Sequence, residues 1–196
     1  MPRIITGYRE EVKEKITEAA FALFIKKGYH GTTMGEIAES LGVTKPALYQ
    51  YFPSKESLFA AVAERARQEF KGTLERSYEG RNIRDGSAAL FDALLRYVPQ
   101  FNGMYQEMLL LAARNERLRA VLIQDRSQDI RVIEDFIARQ QGTGLISRNH
   151  DPHVLAVACD ALANGLLMDV MMGMDPDEAK AIWVAAISRL AKNEPD

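Results

Sequence analysis

No segment of this chain alternates apolar and polar residues with a period of two for long enough to demand a sheet; its apolar residues recur at helical spacing instead. Val12, Ile16, Ala19, Ala20, Leu23 and Phe24 follow the i, i+3, i+4, i+7 pattern, while Glu10, Glu11, Lys13, Glu14, Lys15 and Glu18 fill the opposite face. Lys26 and Lys27 followed by Gly28 make a good helix end, with cations in the last turn and then glycine.

The same punctuation marks further helices. Thr33-Met34-Gly35-Glu36 is a capping box, in which Thr33 caps a short helix and Glu36 reaches back. Gly42 breaks that helix. Thr44 caps the next, with Pro46 tolerated in its first turn. Ser54 then caps a fourth helix running to about Ser77. Residues 79–86 shift to Gly, Arg and Asn and read as a surface loop near the domain junction. Further helices are expected near 86–97, 103–114, 116–141, 152–172 and 176–192. Asp151-Pro152 and Asp175-Pro176 each combine an N-cap with a first-turn proline.

Composition excludes several alternatives. With 196 residues, 47% of them hydrophobic and 27% charged, the chain is long enough for a sizeable core. Its 25 Lys+Arg against 27 Asp+Glu exclude a strongly basic nucleic-acid coat, though not a local basic face. The lone Cys159 makes no internal disulfide and reads as a structural thiol, which fits a reducing cytoplasm. The N-terminus lacks the apolar run of a signal peptide. His153 to Met174 is the most membrane-like run, but Asp160, Asn164 and Asp169 interrupt it, so a buried helix is expected rather than a membrane span.

Residues 28–59 have the form of a helix-turn-helix. Ala38 is small enough for two helices to approach, Gly42 allows a sharp turn, and Val43 and Leu48 are apolar pins for the second helix. That helix would expose Thr44, Lys45, Ala47, Gln50 and Tyr51 to base edges in a major groove. Thr33 would leave outward-facing N–H groups as a phosphate site, with Lys55 and Tyr49 adding contacts that position without specifying.

The stretch Phe24 to Phe59 carries Gly28-Tyr29, Thr32-Thr33, Ile37-Ala38, Gly42-Val43, Leu48-Tyr49, Tyr51-Phe52 and Ser54-Lys55-Glu56-Ser57-Leu58. It resembles the DNA-binding domain of TetR-family transcriptional regulators, tightly over about residues 9–60 and only in architecture beyond. The resemblance implies an all-α homodimer. Residues 1–54 would be the three-helix DNA-binding domain, and residues 55–196 a larger helical domain for ligand binding and dimerisation, with helix four connecting the two. By the same resemblance, phosphate contacts fall on Thr33, Tyr49 and Lys55. Base contacts fall on Met34, Lys45, Pro46, Ala47, Gln50 and Tyr51, of which Met34 and Ala47 offer only apolar contact, as to a thymine methyl.

The C-terminal part supplies two further expectations. Small residues recur in the last two helices, where Leu155, Ala158, Leu162, Gly165, Leu166, Ile182, Trp183, Ala186, Ile187 and Leu190 would form an isologous four-helix dimer interface. Ordinary packing within one chain explains the same pattern. For a small hydrophobic or amphipathic effector, the candidate lining is Phe91, Tyr97, Tyr105, Met108, Arg114, Phe136, Asn164 and Met168, residues that at helical spacing also serve as plain core.

No nucleotide-binding glycine motif, nucleophile elbow or zinc-protease helix occurs, so no cofactor and no catalytic group is expected. His150 and His153 make a weak metal pair, because Asp151-Pro152 between them already serves as a helix start. The expected function is thus a DNA-binding repressor released from double-stranded operator DNA by an inducer. An activator or ligand-independent regulator of the same fold is the alternative, and an enzyme or carrier with a vestigial DNA domain is a more distant one.

Overall fold

The computed structural model describes the backbone of residues 3–192 and the side chains of residues 8–96 and 107–192. Eight helices follow one another: α1 (Arg3–Gly31), α2 (Met34–Ser40), α3 (Lys45–Tyr49), α4 (Lys55–Tyr78), α5 (Ile83–Ala112), α6 (Glu116–Thr143), α7 (Pro152–Met171) and α8 (Pro176–Leu190). No strand occurs among the described residues. The fold is all-α, as the periodicity predicts.

The caps fall where the sequence places them. Thr33 accepts from the Glu36 amide while Glu36 accepts from the Thr33 amide, which completes the capping box. Thr44 accepts from the amide of Ala47. Asp151 and Asp175 cap α7 and α8, accepting from Val154 and Asp177. Ser54 Oγ accepts from the amide of Ser57, whose own hydroxyl oxygen accepts from the Ser54 amide.

Two expectations change. The segments 86–97 and 103–114 belong to one continuous helix, α5. α5 also begins at Ile83, inside the stretch 79–86 expected as a surface loop. One compact unit comprises Met1–Ala66 with Gly103–Asp125, and the other comprises Arg67–Asn102 with Arg126–Asp196. The units do not follow chain order, and α4, α5 and α6 each contribute residues to both.

In the first unit the apolar face of α1 is buried through Ile16, Ala20 and Phe24. Phe24, Tyr29 and Phe59 form an aromatic triangle with centroids 5.4, 5.8 and 6.4 Å apart. The hydroxyl of Tyr29 is buried without a hydrogen-bond partner, and burial raises its pKa above the ordinary tyrosine value. At Gly28 the helix breaks, with φ at +76°, a conformation that costs other residues steric strain.

The core of the second unit gathers Leu74, Phe91, Phe136, Leu155, Leu166 and Trp183 among others. The Trp183 indole N–H donates to the Ser87 carbonyl at 2.9 Å, so this ring is buried with its polar edge satisfied. Gln141, also buried, donates to the carbonyls of Ser147 and His150 and so holds the connection from α6 to α7. Cys159 is free, and burial pushes its thiol up to about 11.

Candidate nucleic-acid interface

α2 and α3 form the expected hairpin. Ala38 and Leu48 are buried, and Gly42 takes φ of +66° at the turn. Val43 departs from its expected role as a pin, because its side chain is 44% exposed. Its backbone makes the connection instead, donating to the Ala38 carbonyl at 3.0 Å. Leu48, fully buried, is the apolar anchor within α3.

On the outward side of α3, Thr44, Lys45, Pro46 and Gln50 are exposed, while Ala47 and Tyr51 are half-buried. The Arg9 guanidinium stands 6.0 Å from the Tyr51 ring centroid. Met34 differs from expectation. It is buried at 6% exposure, because as the first residue of α2 it turns inward, and it contributes to the floor of a cleft rather than standing out toward a base.

That cleft is open and measures about 400 Å³. Thr33, Tyr49 and Lys55, the three expected phosphate residues, all line it together with Lys45. Ser54 and Glu56, expected as a helix cap and as part of the motif after α3, also line it, as do His30 and Pro53, which no sequence signal marks.

The polar atoms around the cleft are already engaged with one another. The Thr33 hydroxyl donates to Glu36 at 2.9 Å. Glu36 also pairs with Lys27 at 2.6 Å. The Lys27 hydrogen bond and then those from Thr33 hold the Glu36 carboxyl down at about 2. The Lys55 ammonium donates to the carbonyls of Tyr29 and Thr32 at 2.8 and 2.9 Å and lies 4.3 Å from the Tyr29 ring centroid. Burial lowers its pKa from the ordinary lysine value, while Glu56, Glu107 and Glu36 push the other way. An ammonium has three donors, so Lys55 has one left for a phosphate beyond the two carbonyls. Tyr49 is 40% exposed, with its ring 6.0 Å from the Lys45 ammonium.

The expected effector residues do not converge on one cavity. Phe91 and Phe136 are buried in the core of the second unit, Phe136 tilted against Tyr78 with ring centroids 5.0 Å apart, whereas the buried Met108 belongs to the first unit. Arg114 is exposed in the turn after α5, and Asn164 and Met168 lie on the exposed side of α7. Tyr97 and Tyr105 fall outside the described residues. Asp160, one of the polar residues that interrupt α7, has Arg126 at 2.6 Å. Arg67 pairs with Asp129 at 2.7 Å, and burial raises the Asp129 pKa from its ordinary value.

α7 also departs from the expected buried helix. Over 20 residues it is long and apolar enough to cross a membrane by length and composition; an 18-residue stretch of it has mean hydropathy 1.7, with only 22% buried. Leu155 and Leu166 face their own chain's core, as do Trp183 and Ile187 on α8. These four expected dimer residues are thus used internally. Ala158, Leu162, Ala186 and Leu190 are half-buried, while Gly165 and Ile182 are exposed. The open side of α7 carries Val154, Val157, Ala161, Gly165, Met168 and Met172 at intervals of three and four.

Among the described residues no group of three or more His, Cys, Asp or Glu could hold a metal ion. His153 Nδ1 lies 2.9 Å from Glu134.

A short exposed helix on a capped hairpin, beside a cleft lined by Lys, Tyr and Thr, has the form of a helix-turn-helix. Residues 16–62 match the model for bacterial regulatory proteins of the tetR family. The chain is 46% identical over 57 residues to the HTH-type transcriptional activator FasR of Mycolicibacterium smegmatis, covering 29% of this chain and 26% of that protein. It is 31% identical over 87 residues to IcaR of Staphylococcus epidermidis, an HTH-type negative transcriptional regulator of a biofilm operon, covering 44% and 45%. The chain thus matches less than half the length of either relative. A TetR-family regulator structure from Rhodococcus sp. superposes with a TM-score of 0.76 at 23% identity, covering 93% of this chain and all of that one; it bears on the fold alone. Residues 16–62 thus carry the helix-turn-helix segment found in bacterial regulatory proteins of the tetR family.

Proposed function

We propose that the chain is a homodimeric repressor that binds a near-palindromic operator and is released by a small hydrophobic or amphipathic inducer, acting in the cytoplasm. The observation that carries the DNA-binding part is the meeting of Thr33, Tyr49, Lys45 and Lys55 around one cleft beside the exposed face of α3. Phosphates on that cleft would fix the register, and Thr44, Lys45, Pro46, Ala47, Gln50 and Tyr51 would then face base edges.

The open side of α7 supports the dimer. A water-facing apolar stripe of small residues and methionines is a surface that a second copy can cover isologously. Two recognition helices about 34 to 36 Å apart would read successive turns of a palindrome. An inducer acts only through its differential affinity for the two states, with typical coupling of about 1–3 kcal/mol. The activator reading has its own support in the 46% identity to FasR over 57 residues.

Selection of binding duplexes from a random pool, followed by salt titration of the winner, tests this function. A recovered near-palindrome with a steep salt slope is expected. Recovery of no preferred sequence overturns sequence-specific regulation. With the operator in hand, transcription from a promoter carrying it separates repressor from activator. In the same assay Tyr49→Ala should weaken binding to every duplex alike, whereas Gln50→Ala should change sequence preference by about 1–3 kcal/mol at one base pair.

A further inference from the structure

Glu107 lies near the C-terminal end of α5, outside the residues 16–62 that carry the family match and 78 positions from its partner. Its carboxylate accepts from two successive backbone amides, Tyr29 at 2.8 Å and His30 at 2.9 Å. Those amides belong to the short last turn of α1, beyond the break at Gly28, and the same glycine makes room for the carboxylate. A Cβ at position 28 would come 2.5 Å from Glu107 Oε2. Lys55 holds the acceptor side of this turn, through the carbonyls of Tyr29 and Thr32. Thr32 closes it from within, donating to the carbonyls of Gly28 and Leu23. Residues 28–32 are therefore gripped by an anion on their donors and a cation on their acceptors, immediately before Thr33 opens α2. His30, Thr32, Thr33 and Lys55 all line the cleft.

We propose that Glu107 is a positioning residue for DNA binding, which holds the Gly28–Thr33 turn in the shape that presents Thr33 and Lys55 to the phosphate backbone. The proposal rests on the reading of this unit as the DNA-binding one. It makes an unusual demand on sign. An acidic side chain near a polyanion ordinarily weakens binding, so its removal should strengthen it. A positioning carboxylate does the opposite. Without it the two amides turn to water, the turn loosens, and the phosphate contacts lose their alignment.

The test uses the full chain, the duplex recovered by the selection above and an unrelated duplex of equal length. E107A should weaken binding of the selected duplex by at least about tenfold at a temperature where circular dichroism shows it fully folded. E107Q should fall between E107A and the wild type, since its amide oxygen serves one backbone N–H while its NH₂ faces the other. Hydrogen exchange at the Tyr29 and His30 amides should quicken in E107A by tenfold or more, with the Leu48 amide of α3 unchanged. Affinity equal to or above wild type in both variants overturns the proposal, as does unchanged exchange at Tyr29 and His30. Should E107A fail to fold, E107Q alone decides by the same two readouts. A wild-type protein that binds neither duplex overturns the DNA-binding reading itself, a result distinct from failure of the variants.

Discussion

The helix-turn-helix and the last two helices begin with equally plain signals, Thr33 and Thr44 in one region and Asp151-Pro152 and Asp175-Pro176 in the other, and all four caps form. They differ in how far the sequence tells which way each helix faces. Along 12–24 of α1 one side is apolar and the other charged, so periodicity separates core from surface there. In α7 both sides are apolar, and the same rule has nothing to separate. Leu155 and Leu166 read equally well as core or interface, and the structure buries them. Local chemistry thus sets where a helix starts, and only contrast in polarity sets its orientation.

The comparison breaks most sharply within α7. Leu166→Ala should cost about 2–5 kcal/mol of folding stability, as for any buried leucine, read by denaturant unfolding. Val157→Glu, on the open side, should leave the helical signal intact and convert a dimer to a monomer in sedimentation analysis. If Val157→Glu unfolds the chain instead, or leaves a dimer intact, that side of α7 is not the dimer face.

A similar contrast of intermediate size lies within the hairpin. Leu48→Ala should cost about 2–5 kcal/mol, whereas Val43→Ala, exposed and held by its backbone, should stay within about 0.5 kcal/mol. Comparable losses at the two positions would restore Val43 as an apolar pin.

The smallest effect is the titration of Glu36. Its carboxyl sits at about 2 in the fold against an ordinary value of 4.5, so the folded state binds that proton less readily than the unfolded chain. The stability it lends is therefore fully present above about pH 4.5 and is lost as pH falls toward 2. The Thr33 amide resonance should follow a midpoint near the lower value, and Lys27→Ala should move that midpoint upward. A midpoint at the ordinary carboxylate value would mean that the Lys27 pair is not formed in solution.

Most of the fold and half of the site were legible in the chain because they depend on residues three or four apart. The caps, the Gly28 and Gly42 breaks and the burial of Phe24 and Leu48 all follow from such spacing. α5 was not legible as one helix, since local breakers argue for two and tertiary packing overrides such propensities. Nor was the inward turn of Met34, which stands at a position where the sequence offers no polar contrast. Glu107 was invisible for a different reason. A carboxylate accepting backbone amides 78 positions away leaves no pattern in the sequence near either end. The engagement of Lys55 by two carbonyls is likewise a property of the turn it meets rather than of its own neighbours.

The five residues of α3 carry a consequence for how much address one copy can read. At about 1.5 Å per residue the helix spans roughly 7.5 Å, little more than two base-pair steps of about 3.4 Å. If caps and flanks extend its reach to about three base pairs, one copy distinguishes roughly 64 sequences and two copies roughly 4,000. A genome offers on the order of a million or more competing sites. The missing factor of a few hundred must come from base pairs the helix never touches, through the stiffness and groove width of the DNA between and beside the half-sites. Operators for this protein should therefore share flexible or narrow-grooved steps as consistently as they share the letters under α3.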